Sequence, residues 1–209
     1  MLKDMKSFNQ MHIDILKEIG NIGIGNAIGA LSRMIGMQVK MTVPEVKFLE
    51  FKDVGCILGG DEVIVYGILV EVSGDINGMM MFLTKPDAAT TLVNSLMASM
   101  SLSVSDPENF NEMEMSALQE IGNILCSSYL GALSGFINKT AKPSPPMLAK
   151  DMATAILSVP ATEFGKMADG VLFIDTVLET GEGVPASGFF LLVPDMASFN
   201  VILTSLGVV

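Results

Sequence analysis

The sequence predicts an α+β fold made of two related halves that share one antiparallel sheet, with a long helix of each half packed on it. The pentapeptide EIGNI occurs at residues 18–22 and again at 120–124, inside stretches of helical character. Near their ends the halves repeat a second pattern, GMMMFLTKPDAA at 78–89 and GFFLLVPDMA at 188–197. Self-similarity of this kind indicates an internal duplication. We therefore expect one pseudo-two-fold domain in which each half runs helix, three strands, helix.

Each half is expected to begin with its long helix and to end with a shorter helix that opens on a Pro-Asp pair. The helices are predicted at about 9–36, 86–99, 110–138 and 194–206. The strands are predicted in VKMTVPEVKFLEF (39–51), VIVYGILVEV (63–72), GMMMFL (78–83), MLAKDMATAILSV (147–159), VLFIDTVLE (171–179) and GFFLLV (188–193). The polar stretch SDPENFNEME before the second long helix is expected to cap it. The repeats, about 9–102 and 110–209, are joined by SVSDPEN (103–109) and form a single domain over residues 1–209.

The composition argues against several classes of partner and site. The chain carries 12 Lys and Arg against 23 Asp and Glu, and a net charge of −11 repels nucleic acid and anionic membranes. Its longest apolar runs are too short to span a bilayer and its first residues do not resemble a secretory leader, so we expect a cytoplasmic protein. Cys56 and Cys126, with one histidine, make no zinc site, and we expect both to be buried as small apolar residues.

The glycine-rich stretch KEIGNIGIGNAIGAL at 17–31 is either a phosphate-binding loop or a helix with little side-chain bulk on parts of its surface. The repeat argues against the loop, because Gly23 and Gly25 have no glycine opposite them in the second copy. Leu125 and Ser127 occupy those positions. No predicted strand precedes the motif, and no Gly-Lys-Ser/Thr follows it. We therefore do not expect a nucleotide-binding enzyme.

In a helix, with about 100° between successive residues, four positions of each copy share one narrow face opposite the apolar residues. These positions are Asp14, Glu18, Asn21 and Gly25 in the first copy, and Ser116, Glu120, Asn123 and Ser127 in the second. Each long helix is thus expected to present a Glu to solvent, an Asn three residues later, and then a residue with almost no side chain.

The helical glycines have two open explanations. Glycine inside a helix costs about 1 kcal/mol relative to alanine, so its presence needs a reason. One reason is the close approach of another molecule, which would suit Gly25. The other is a tight crossing of the two long helices, which would involve Gly20, Gly122, Gly29 and Gly131. Packing is favoured for Gly20 and Gly122, because both point away from the polar face.

The polar positions also obey one spacing rule. An Asp or Ser is followed after three residues by Glu, after two more by Asn, and after twenty-two more by Pro. The rule is met by Asp14, Glu18, Asn21 and Pro44, and again by Ser116, Glu120, Asn123 and Pro146. This doubled pattern, in halves that cover essentially the whole chain, resembles the CheC/CheX/FliY family of chemotaxis phosphatases.

The resemblance implies an enzyme that hydrolyses the aspartyl phosphate of a CheY-type response regulator. Asn21 and Asn123 would position the attacking water, while Glu18 and Glu120 would pair with a lysine of the regulator. Asp14 and Ser116 would contact the regulator's backbone or cap locally. Gly25 and Ser127 would leave space for insertion, and Pro44 and Pro146 would shape the backbone beside the site. The chain would need no metal or cofactor of its own, because Mg²⁺ is expected on the phosphorylated regulator.

The resemblance also implies a second partner, the receptor deamidase CheD. This leaves an alternative function, a non-catalytic adaptor that binds and sequesters CheD. The Asn present in both copies favours the phosphatase. Because the duplication already provides two sites in one chain, we expect a monomer.

Overall fold

The computed structural model describes residues 10–43, 45–104, 106–164, 171–179 and 185–205. The first half contains α1 (Gln10–Ile35), β1 (Lys40–Thr42), β2 (Val46–Leu49), α2 (Phe51–Leu58), β3 (Ile64–Gly74), β4 (Gly78–Thr84) and α3 (Pro86–Ser99). The second half contains α4 (Glu112–Ile137), β5 (Ala141–Pro143), β6 (Met147–Met152), α5 (Ala153–Phe164), β7 (Val171–Glu179), β8 (Pro185–Pro194) and α6 (Met196–Ser205). The elements follow one another in the same order in both halves.

The long helices α1 and α4 lie where the sequence predicts them, as do the closing helices α3 and α6. The polar stretch before α4 caps it, as expected. The Asn111 side chain accepts hydrogen bonds from the backbone N–H groups of Met113 (2.9 Å) and Glu114 (3.0 Å). The Glu114 carboxylate accepts one in return from the Asn111 N–H (2.8 Å), which completes a capping box.

The segment between the long helix and the central strands is more complex than the sequence predicts. In each half it forms two short strands followed by a short helix, α2 or α5. The prediction of an extended segment over 147–159 is wrong from Ala153 onward, where α5 begins. Ala153, Ile156 and Leu157 are buried at helical spacing. An apolar run of this length suits a strand or a buried helix equally, so the pattern alone did not distinguish them.

The two cysteines lie in different environments. Cys126 is fully buried in α4, as predicted, and burial raises the pKa of its thiol. The prediction for Cys56 is wrong, because this residue is exposed on α2. The buried face of that short helix is supplied by Val54 and Leu58, which leaves Cys56 on the solvent side.

The eight strands form one antiparallel sheet in which the halves exchange their first strands. The strand order is β1-β7-β8-β4-β3-β5, with β2 also paired to β7 and β6 also paired to β3. The first strands of each half therefore pair with the central hairpin of the other. Exchanging the labels of the two halves returns the same order, so the sheet has the pseudo-two-fold symmetry that the repeat predicts.

The local two-fold axis passes through the middle of this sheet. There β4 pairs with β8, and Phe82 lies directly opposite Phe190. The two phenylalanines are equivalent in the repeat, since each precedes by four residues the proline of a Pro-Asp pair, Pro86 or Pro194. Their ring centroids are 5.2 Å apart. The halves thus meet through an aromatic contact between equivalent residues, which adds specific ring–ring attraction to the apolar burial.

Helices cover both faces of the sheet and enclose two cores. The larger core lies under α1, α3, α4 and α6, where Leu16, Ile19 and Ile121 are buried. The smaller core lies under α2 and α5 on the opposite face. Neighbouring residues of β3 alternate between them, as the pleat requires, with Ile68 in the larger core and Leu69 in the smaller.

Two glycines let α4 approach its neighbours closely. A Cβ added at Gly23 of α1 would lie 2.9 Å from the Cα of Tyr129 in α4, and one added at Gly122 would lie 2.8 Å from the Ile68 side chain in β3. Gly122 is therefore a packing residue, as predicted, although it packs on the sheet. Gly20 is buried but would make only ordinary contacts, so the tight helix crossing depends on Gly23. The remaining pair, at 29 and 131, does not lie at the crossing.

Gly23→Ala is expected to lower the free energy of unfolding, because its methyl group would overlap backbone atoms that cannot rotate away. Overpacking of this kind costs about 1–3 kcal/mol, which opposes the gain in helix propensity. Gly131→Ala is the matched control, since a Cβ there meets nothing within 4 Å. It should raise stability by up to about 1 kcal/mol. Urea unfolding followed by circular dichroism measures both changes, and equal stabilisation by the two variants would contradict the close crossing.

Candidate functional site

The polar face predicted for the first long helix is exposed on α1. Asp14, Glu18, Asn21 and Gly25 all lie on the solvent side of this helix, opposite buried Leu16. The Gln10 side-chain amide donates a 2.8 Å hydrogen bond to the Asp14 carboxylate one turn later. Since the helix is held from beneath by the larger core, its face presents a carboxylate and a carboxamide on a rigid backbone.

The equivalent face of α4 has the same residue types at its centre and a different hydrogen-bonding pattern. Ser116 and Glu120 are exposed, whereas Asn123 and Ser127 are half-buried. The Asn123 amide nitrogen donates to Glu120 Oε2 at 3.4 Å, and Ser127 Oγ donates to Asn123 Oδ1 at 3.4 Å. The Ser116 hydroxyl donates back to the carbonyl of Glu112 at 2.8 Å, a local bond inside the helix.

Gly25 has no packing role in the part of the chain that the structure describes. A Cβ built at this position would meet no atom within 4 Å. Alanine would fit the free protein and favour the helix. Among the described residues, packing therefore does not account for this glycine, and the close approach of another molecule stays a prediction.

The motif prolines are Pro44 and Pro146. Pro44 lies outside the described residues. Pro146 lies in the link between β5 and β6, where its carbonyl accepts a 2.6 Å hydrogen bond from the Gln119 side chain. Gln119 directly precedes Glu120, so this contact ties the Pro146 backbone to the helix that carries the second polar face.

Exposed apolar side chains beside each polar face were missed by the sequence reasoning. Met11 and Met113 hold equivalent positions at the starts of the two helices, and 67% and 57% of their respective surfaces are exposed. Ile22, 45% exposed, and half-buried Ile124 form a second equivalent pair next to the Asn. The signal was available in the repeat, since both pairs are related by the same shift as EIGNI.

A polar cavity of about 480 Å³ adjoins the Asp14 side of the first face. It lies between α1 and β2 and includes Lys17, Glu45 and Lys47 in its lining. The Lys47 ammonium contacts the Glu45 carboxylate at 2.7 Å. In the second copy the corresponding positions hold Gln119, Met147 and Ala149. The surroundings of the two faces are therefore differently charged.

The described residues contain no metal centre and no membrane-spanning helix. Within these ranges, no group of three or more His, Cys, Asp or Glu side chains is arranged to bind a metal ion. None of the described helices has the length and apolarity needed to cross a bilayer.

Comparisons with known proteins match this arrangement. A model of the CheC-like family matches residues 11–48 and 113–148, which hold one polar face each. The CheY-P phosphatase CheC of Bacillus subtilis (strain 168) is 30% identical over 207 residues, which cover 97% of this chain and 99% of that protein.

Two solved structures share the fold. FliY of Thermotoga maritima has a TM-score of 0.74 at 22% identity, covering 96% of this chain and 98% of that one. A complex of CheX with CheY, BeF3 and Mg²⁺ from Borrelia burgdorferi has a TM-score of 0.50 at 15% identity, covering 84% of this chain and 96% of that one.

The resemblance predicted from the doubled motif is confirmed. One family model matches a segment in each half of the chain, and the similarity to the Bacillus subtilis protein extends over nearly the full length of each sequence. This chain belongs to the CheC-like family.

Proposed function

We propose that this protein is a phosphatase that hydrolyses the aspartyl phosphate of a CheY-type response regulator. The observation that carries the proposal is the Glu and Asn pair, repeated on the exposed faces of two equivalent helices. Two relatives support it through their descriptions. The Bacillus subtilis relative is a CheY-P phosphatase, and the CheX structure holds CheY together with BeF3 and Mg²⁺.

The proposed chemistry needs positioned groups more than a strong base. An acyl phosphate is transferred to water through a loose transition state, so catalysis comes mainly from in-line placement and electrostatics. The carboxamide oxygen of Asn21 or Asn123 would accept a hydrogen bond from the attacking water and fix its direction. The regulator would supply Mg²⁺ and a lysine, and these would offset the negative charge on the phosphoryl oxygens.

The carboxylates would set the docking position. Glu18 or Glu120 would pair with the regulator's lysine in a charge-assisted contact. Asp14 and Ser116 would contact the regulator one helical turn away, and the absence of bulk at Gly25 would let its surface approach the helix. Met11 and Met113 would add apolar contact at the rim, since exposed methionines adapt to varied surfaces.

The remaining parts of the proposal rest on the family resemblance. The reaction would take place in the cytoplasm on a phosphorylated regulator, with no metal or cofactor held by this chain. CheD stays a predicted partner, and a non-catalytic adaptor for CheD is the outcome to expect if the chain binds a regulator without accelerating its dephosphorylation.

Removing both asparagines should abolish the acceleration of regulator dephosphorylation. Asn21→Ala and Asn123→Ala should each leave the contribution of the other face. In the double variant the accelerated rate of dephosphorylation should fall about 100-fold or more, toward the regulator's own rate. Decay of ³²P-labelled CheY-type regulator measures this. Asn26→Ala is the matched control, because Asn26 is also exposed on α1 but lies away from the polar face. Wild-type protein that binds the regulator and leaves its decay unchanged, with or without CheD, would support the adaptor instead.

Exchanging the first residues of the two motifs should change docking through charge. Asp14→Ser, in protein that also carries Asn123→Ala, should raise KM about 1.5- to 5-fold and weaken its dependence on ionic strength. Ser116→Asp, with Asn21→Ala, should lower KM and strengthen its dependence on ionic strength, because it adds to the second site the carboxylate that Asp14 supplies at the first. Initial rates measured between about 20 and about 300 mM NaCl give the KM of both variants. Asp14→Asn is the uncharged isostere with which they are compared. If the KM of Asp14→Asn equals that of the parent protein with Asn123→Ala, the charge of Asp14 has no role in docking.

A further inference from the structure

The second polar face contains a hydrogen-bond chain that the first face lacks. Ser127 Oγ donates to Asn123 Oδ1, and Asn123 Nδ2 donates to Glu120 Oε2. The position of Ser127 is occupied by Gly25 in the first copy, so no hydroxyl lies one turn after Asn21. Among the described residues, the Asn21 side chain has no hydrogen-bond partner. The motif asparagines are therefore held differently, although their spacing is the same.

The two contacts, each 3.4 Å long, favour one orientation of the Asn123 amide. Its nitrogen is directed toward Glu120 and its oxygen toward Ser127, along the axis of α4. A carbonyl oxygen has two lone pairs, and a carboxylate can accept several hydrogen bonds. The Asn123 oxygen can thus accept from a water as well as from Ser127. One oxygen of Glu120 likewise stays available for a cation.

Burial strengthens the contrast between the two asparagines. Asn123 is half-buried, whereas Asn21 is exposed. An exposed, unrestrained amide must be ordered when it binds the water, and ordering a side chain with several rotamers lowers the population of the productive geometry. A side chain held in place beforehand avoids that loss.

We propose that Ser127 is a positioning residue that orients the Asn123 carboxamide, so that the second site has the higher kcat and the first site is the less ordered of the two. The inference rests on the proposed phosphatase function and adds a division between its sites. Ser127 would act through Asn123 and through no contact with the phosphoryl group. The space that the resemblance implies for the regulator at Ser127 then follows from the small size of this residue and is separate from its positioning role.

The test begins with protein in which only the second site works, carrying Asn21→Ala. In that background Ser127→Ala should lower kcat about two- to tenfold with little change in KM, since it removes the hydroxyl and keeps the regulator's access. Ser127→Thr should restore most of the kcat, because it keeps the hydroxyl. An unchanged kcat in Ser127→Ala, or a loss in Ser127→Thr equal to that in Ser127→Ala, would overturn the positioning role.

The reciprocal experiment uses protein in which only the first site works, carrying Asn123→Ala. Gly25→Ser supplies the missing hydroxyl, and the open space around Gly25 accommodates it. The kcat should rise about two- to tenfold relative to Gly25→Ala, which adds a Cβ without a donor. A Cβ at this position affects both variants alike, so comparing them separates the hydroxyl from any steric effect on KM. Equal kcat in the two variants would count against the proposal.

A spectroscopic measurement separates this inference from the phosphatase proposal. In the free wild-type protein, ¹⁵N relaxation should show the Asn123 side-chain NH₂ group to be more ordered than that of Asn21, and Ser127→Ala should reduce the difference. The two signals are assigned by their loss in Asn21→Ala and Asn123→Ala. Phosphatase activity without a difference in order between the two NH₂ groups would overturn the role of Ser127 and leave the phosphatase proposal standing. Order without any acceleration of regulator decay would overturn the phosphatase and the positioning role with it.

Discussion

The exchange of first strands between the halves is the constraint on which the rest of the structure depends. Because β2 pairs with β7 and β6 with β3, each half completes the outer side of the other half's hairpin. A half on its own would therefore expose an unpaired strand edge. β1 and β2 directly follow α1, and β5 and β6 directly follow α4, so the exchange also ties each long helix to the other half's strands. The Gly23 crossing then joins the two helices directly. The polar faces are consequently fixed in a single framework.

The sequence predicted those features that local periodicity and repetition determine. EIGNI at the same place in two apolar patterns was enough to predict α1, α4 and the residues that share their exposed faces. The strand exchange was not predictable in this way, because it depends on pairings between segments far apart in the chain, such as Val46 with Ile174 and Tyr66 with Lys150. Cys56 is exposed because Val54 and Leu58 form the buried face of α2, and α5 starts at Ala153 in an apolar run that suits a strand equally well. No local pattern specifies that choice.

Burial divides the repeated pentapeptide into two parts with different explanations. Its second and third residues, Ile19 and Gly20 with their counterparts in α4, are buried, so the requirements of the core account for their recurrence. Its Glu and Asn are exposed in the first copy and at most half-buried in the second. The core does not require a carboxylate and a carboxamide at those places. Their recurrence beside differing neighbours, such as Asp14 against Ser116, therefore points to a shared demand from outside the molecule.

A convex site suits the substrate proposed for it. The aspartyl phosphate of a response regulator lies in that protein's own active site beside its metal ion and lysine, so a phosphatase with a deep pocket could not reach it. A helix face can, provided that the reaching side chains are short and their backbone does not move. Buried Leu16 and Ile19 hold α1 from beneath, and Leu118 and Ile121 do the same for α4. Rigid support below and little bulk at Gly25 would together hold the helix backbone in place while the proposed amide enters the regulator's cleft.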